Sequence, residues 1–201
     1  MDFTGAKAHI LSLLTTKLPP ELYYHCVEHT LDVYESTCRL ISLELPADSN
    51  SEILQTAALW HDSGMIVRYK AHEETSVALV REMLPAFGYT PAEIDAVAGL
   101  IMVTKLPQRA HTLTEQILCD ADLDYLGRND FFIHSFQLQL EWRVNNILQT
   151  TLREWLEIQV KFLSEHEYFT QSARRLREQT KLHHLSEIKM LLSTVQQSNN
   201  T

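Results

Sequence analysis

Apolar residues recur along most of this chain at three- and four-residue intervals, the spacing that gathers side chains on one face of a helix. Leu22, His25, His29 and Val33 share such a face. Leu54, Ala58 and His61 share another, and Asp62 follows Ala58 by four. Between them Pro46-Ala47-Asp48-Ser49-Asn50 reads as a loop, and Ser49 with Glu52 forms a capping-box pattern that opens the second helix. Gly64 ends that pattern. A helix from about Glu73 is expected to stop near Gly88, its last turn disturbed by Pro85. Thr90-Pro91-Ala92-Glu93 supplies a cap, a proline at the first helical position and an acid to close the box. The helix it opens runs to about Thr104. After a loop from Leu106 to Thr112, a helix from about Leu113 carries Asp120 and Asp124. Phe132, Phe136, Leu140, Val144 and Ile147 predict a long amphipathic helix with its Phe132/Phe136/Leu140 stripe in the core. Trp155, Ile158, Phe162 and His166 predict another, and the polar end Gln196 to Thr201 is expected to fray. The pattern predicts seven to nine helices in one all-helical domain over 1–201, with no repeat and no linker.

Composition narrows the class without naming a chemistry. Five Gly and six Pro leave little room for strands and turns. The longest apolar run, Ala96 to Val103, is too short to span a bilayer, and Met1-Asp2-Phe3 lacks the basic start of a signal peptide. Three cysteines, Cys26, Cys38 and Cys119, suit reduced thiols better than a disulfide framework. A soluble cytoplasmic protein is expected. The net charge of −9 argues against non-specific binding of long nucleic acid, although a bound cation would still attract a small phosphorylated ligand.

Chemistry enters at His61-Asp62. Ala57, Ala58, Leu59 and Trp60 precede the pair, so two polar side chains stand at the end of a buried helix. Burial is costly unless something satisfies them. A divalent metal does so, taking nitrogen from neutral imidazole and oxygen from ionised Asp. That mixed set suits Mn²⁺, Fe²⁺, Co²⁺, Ni²⁺ or Zn²⁺. Upstream stand His25 and His29, and downstream runs Cys119-Asp120-Ala121-Asp122-Leu123-Asp124.

In YYHCVEHTLDVYE, AALWHDSGM, HEETS and ILCDADLDYLGR the chain resembles the HD superfamily of metal-dependent phosphohydrolases. The resemblance implies a helical bundle with its core at about 22–130 and further helices at about 131–195. It also implies one divalent cation, Mg²⁺ included, held by His29, His61, Asp62 and an Asp of the DADLD run. Asp120 is the choice for that Asp. It stands five residues before Tyr125, similar to the 5′-nucleotidase branch, and shares a helix face with Asp124. Asp122 matches the common Ala-Asp form of the motif and stays open as the alternative. The YHxxxH form is similar to cyclic-nucleotide phosphodiesterases, which implies His25 as the acid that protonates the leaving oxygen. Asp62 would both bind metal and orient the attacking water. His72 corresponds to a family His near a second metal, and here it is assigned with Lys105 and Arg128 to holding substrate. Thr104 and Lys105 stand where two-metal members carry a further His, so one cation is expected.

The implied function is hydrolysis of a phosphomonoester or phosphodiester in a small nucleotide-like molecule. The alternative is a non-catalytic module that keeps the fold and metal and senses a ligand. A di-iron oxygenase is disfavoured by the missing His. His166 reads as packing or capping. Arg174, Arg175, Arg177 and Lys181 read as a solvated basic face. His9, His111, His134, His183 and His184 carry no functional expectation.

Overall fold

The computed structural model describes residues 1–46 and 51–198, and within them nine α-helices, three 3-10 turns and no strand. The all-helical expectation holds. None of these helices is long and apolar enough to cross a membrane. The helices gather into two compact units, Met1–Leu123 and Asp124–Thr201.

The first unit contains α1 (Phe3–Lys17), α2 (Val27–Glu44), α3 (Glu52–Trp60), α4 (His72–Met83), α5 (Pro91–Val103) and α6 (Leu113–Asp122). Its centre is α3, which packs against α1, α2, α5 and α6. From Thr56 to Trp60 every residue of α3 is buried. Burying Leu54 and Leu59 there contributes about 1.5–3 kcal/mol each. The expected cap of α3 at Ser49 lies outside the described residues. The Thr90–Glu93 capping box is present, with Glu93 Oε2 accepting from the Thr90 backbone N–H at 2.7 Å. A second box at Thr112 and Glu115, which the pattern analysis missed, starts α6. Helix α4 ends as expected, passing into the 3-10 turn Leu84–Phe87 and closing on Gly88 at φ +72°.

One expected helix starts late. Residues 22–25 are irregular and α2 begins only at Val27, because the Cys26 backbone is extended at φ −103°, ψ −178°. His25 therefore precedes the helix that carries His29 rather than sharing its face.

The second unit contains α7 (Phe131–Val144), α8 (Leu152–Glu165) and α9 (Gln171–Ser198). The indole N–H of Trp155 donates to Ser135 Oγ at 3.0 Å, joining α8 to α7. Here the expected core stripe is corrected: Phe136 and Leu140 are exposed, while Phe131, Ser135 and Glu141 are the buried positions of α7. Periodicity identified an apolar face but not the face that meets a neighbour. The basic group is not a uniform solvated face either. Arg177 clamps buried Asp124 at 2.8 and 3.0 Å, and buried Lys181 donates to the His166 carbonyl at 2.6 Å. The helical part of the expected frayed end is α9 itself, which runs to Ser198; 199–201 lie outside the described residues.

Candidate metal centre

Three helix boundaries in the first unit bring the site together. His29 comes from the first turn of α2, His61 and Asp62 follow the last residue of α3, and Asp122 is the last residue of α6. Since α2 packs on both α3 and α6, these ends meet. A fourth boundary is the start of α4 at His72. Gly64 sits so close to it that an added Cβ would lie 2.0 Å from the His72 carbonyl oxygen, and the Gly64 N–H donates to Ser76 Oγ at 2.8 Å. Ala71, just before His72, adopts the left-handed conformation at φ 57°, which a side chain makes unfavourable and the surrounding packing must maintain.

The donor atoms converge. His29 Nε2 lies 3.4 Å from Asp62 Oδ2 and 3.5 Å from Asp122 Oδ1. His61 Nε2 lies 3.1 and 3.4 Å from the same two oxygens. Two donors each about 2.1 Å from one ion and about 90–110° apart are themselves about 3.0–3.4 Å apart. The four separations therefore match the edges of a coordination shell. His29, His61 and Asp122 are a group able to hold a metal ion.

His61 supplies the sharpest test of fit. Its Nδ1 lies 2.9 Å from the Ala58 carbonyl, so in the neutral ring Nδ1 carries the proton and donates it. Nε2 then presents a lone pair. That atom is buried and, among the described residues, meets no hydrogen bond of good geometry, although two carboxylate oxygens stand near it. A lone pair facing carboxylates in a buried space is satisfied by a proton on Nε2 or by a metal ion in its place, so the residues fit a metal. Charge favours the same occupant. Burial opposes the charged form of His61, but Asp62 with Asp122 outweighs it and holds the pKa well above the usual value. Burial is overcome at His29 in the same way, by Asp122 and Asp62. Burial also opposes ionisation of Asp122, yet His29 and His61 bring its pKa down to about 2.

The second oxygen of each carboxylate is also engaged. Asp62 Oδ1 faces His72 Nε2 at 3.1 Å, and His72 Nδ1 lies 3.0 Å from the Tyr69 carbonyl. Asp122 Oδ2 accepts from the Gln108 amide at 3.1 Å. At the edge of the cluster the His25 ring lies 5.9 Å from His29, 5.8 Å from His72 and 5.7 Å from Tyr69.

His29, His61 and Asp62 thus come together as the sequence suggested, and His25 and His72 join them. The expectation for Asp120 is corrected. Asp122 stands with the histidines, while Asp120 is buried two residues earlier on another face of α6. Asp120 would share a helix face with Asp124 only if the helix continued through Asp124. Helix α6 stops at Asp122, and Asp124 opens a 3-10 turn bound to Arg177 in the second unit. Lys105 is paired with Glu74 at the surface. Arg128 belongs to the second unit, where it holds Asp130 at 2.6 Å and lies 3.8 Å from Asp124. Gln108 and Tyr69 were missed. Tyr69 precedes the HEETS segment closely enough to have been suspected, but nothing in one sequence singles out Gln108.

A family model for the HD domain matches residues 26–124. HD domains bind divalent metals, and the family is generally one of metal-dependent hydrolases. An uncharacterized protein of Clostridium beijerinckii is 34% identical over 76 residues, 36% of this chain and 48% of that protein. The chain thus spans about half the length of this relative. No solved structure matches. With the His-Asp pair, His29 and Asp122 gathered beside it and the family model matched over residues 26–124, the chain belongs to the HD superfamily.

Proposed function

We propose that this protein is a metal-dependent phosphohydrolase acting on a small, nucleotide-like phosphate ester. His29, His61, Asp62 and Asp122 hold one divalent cation. The observation that carries the reading is the buried Nε2 of His61, which faces two carboxylates and is able to accept when Nδ1 donates to the Ala58 carbonyl. When bound, the cation supplies polarisation of a phosphoryl oxygen and acidifies the attacking water. Asp62 orients that water. Having released one proton to solvent, the water oxygen would form the new bond to phosphorus as the ester bond breaks, and His25 would give its proton to the leaving oxygen and be reprotonated from solvent. His72 keeps Asp62 turned so that Oδ2 faces the cation. Lys105 is paired with Glu74 and Arg128 with Asp130, so this reading assigns neither a role.

Metal analysis of purified protein, followed by a panel of nucleoside monophosphates, cyclic nucleotides and nitrophenyl phosphates with Mn²⁺, tests the reading. About one tightly held cation per chain and turnover of at least one ester are expected, both lost in Asp62→Asn. Full metal content and activity in that variant would refute the assignment. Stabilisation by nucleotides that are never consumed, with metal loaded, would favour a sensor instead.

A further inference from the structure

We infer that Gln108 is a positioning residue for the cation ligand Asp122, an inference that rests on the metal-centre reading above. Asp122 needs such help because of where the chain puts it. As the last residue of α6 it carries its charge at the negative end of the helix dipole. Its χ2 torsion is broad and two-fold, so nothing local decides which oxygen faces His29 and His61. Asp62 has His72 on its second oxygen. Asp122 has Gln108, which reaches back across 14 residues from the segment joining α5 and α6.

The amide orientation follows from chemistry. An ionised carboxylate cannot donate, so the –NH₂ group must face Oδ2. Among the described residues Asp122 is the side-chain hydrogen-bond partner of Gln108. The bond engages Oδ2 and turns Oδ1 toward His29 and His61, which favours one-oxygen coordination and keeps a position open for water. Without it, Asp122 is free to turn both oxygens to the ion or to swing away. Gln108 also joins the inter-helix segment to the centre, so displacement of that segment would weaken cation binding.

The test is cobalt binding by the intact chain. Titration gives the affinity, and the visible d–d bands report ligand number and geometry. Gln108→Met, of nearly the same length and volume, should weaken Co²⁺ binding roughly 10–100-fold and change the bands. Gln108→Asn, one methylene short, should fall between it and the wild type. Wild-type affinity and bands in Gln108→Met would overturn the inference. Weaker binding with unchanged bands and a matching fall in melting temperature would overturn it too, by marking Gln108 as loop packing. A wild-type chain that takes up no cobalt would remove the metal centre itself, a failure distinct from either.

Discussion

Replacing Gly64 by Ala should damage the metal centre although residue 64 contributes no ligand. The new Cβ would stand 2.0 Å from the His72 carbonyl oxygen and 2.8 Å from Ser76 N, where real Cβ contacts essentially never fall below 3.0 Å. Both neighbours are backbone, so the start of α4 must retreat by about 1 Å. Overpacking of this kind costs about 1–3 kcal/mol, and weakening the Gly64–Ser76 hydrogen bond costs about 1 more. The sum, about 2–4 kcal/mol, corresponds to a fall of roughly 5–15 °C in melting temperature. The same retreat carries His72 away from Asp62 Oδ1, now 3.1 Å from its Nε2, so cation affinity should drop by about tenfold. Gly99→Ala is the control. Gly99 lies inside α5 with nothing within 4 Å of an added Cβ, and relief of the glycine penalty there should stabilise by about 0.5–1 kcal/mol. Thermal melts and cobalt titrations of both variants measure these effects. A Gly64→Ala protein with wild-type melting temperature and cobalt affinity would refute the argument that this close approach builds the site.

Asp122→Asn should reduce metal affinity by more than the roughly 10–100-fold that loss of a supporting partner costs, whereas Asp120→Asn should keep the metal; equal retention in both, by metal analysis, would remove Asp122 from the ligand set. His25→Ala should keep the metal and lose on the order of 10²–10⁴ in rate on esters with poor leaving groups, with much less loss on nitrophenyl esters. An equal loss on both substrate classes would take the proton-donor role from His25. Burial, with the Lys181 charge beside it, pulls the His166 pKa down to about 3. In the unfolded chain the same ring titrates near about 6.5, so between these values only the unfolded state takes the proton. Stability should therefore be lost as pH falls through that window, by up to about 1.4 kcal/mol per pH unit, and His166→Phe should flatten the acid limb of a pH–stability curve. Parallel curves for the two proteins would contradict the assignment.

Much of the fold was legible because its signals are local. Thr90 and Glu93 close their box within a single turn, and Gly88 terminates its segment through its own φ, so neither depends on distant residues. The stripe on α7 shows where such reasoning stops. Phe136 and Leu140 repeat at helical spacing, but whether they are buried depends on what the neighbouring helices present. Here Trp155 takes Ser135 on the other side. The start of α2 was misplaced for a similar reason. Leu22 and His25 fit the helical period, yet the extended backbone of Cys26 interrupts it.

The candidate site was legible in the residues that come together and misjudged at Asp120, Lys105 and Arg128, and the first of these errors has a physical origin. A His-Asp pair after a run of buried apolar residues signals an unsatisfied polar group wherever it occurs, so His61 and Asp62 could be selected without coordinates. Choosing between Asp120 and Asp122 required knowing where α6 ends. Two residues along a helix turn a side chain by about 200°. An end at Asp122 therefore brings one carboxylate to His29 and His61 and leaves the other on a different face. That boundary is not written in a cap, since the residue after it, Leu123, is neither Gly nor Asn. Every proposed ligand lies within a turn of a helix end, at His29, His61, Asp62 and Asp122. The centre thus depends on helix ends, where sequence patterns are weakest. That is also why the chemically silent Gly64 and the distant Gln108 bear on the groups they support.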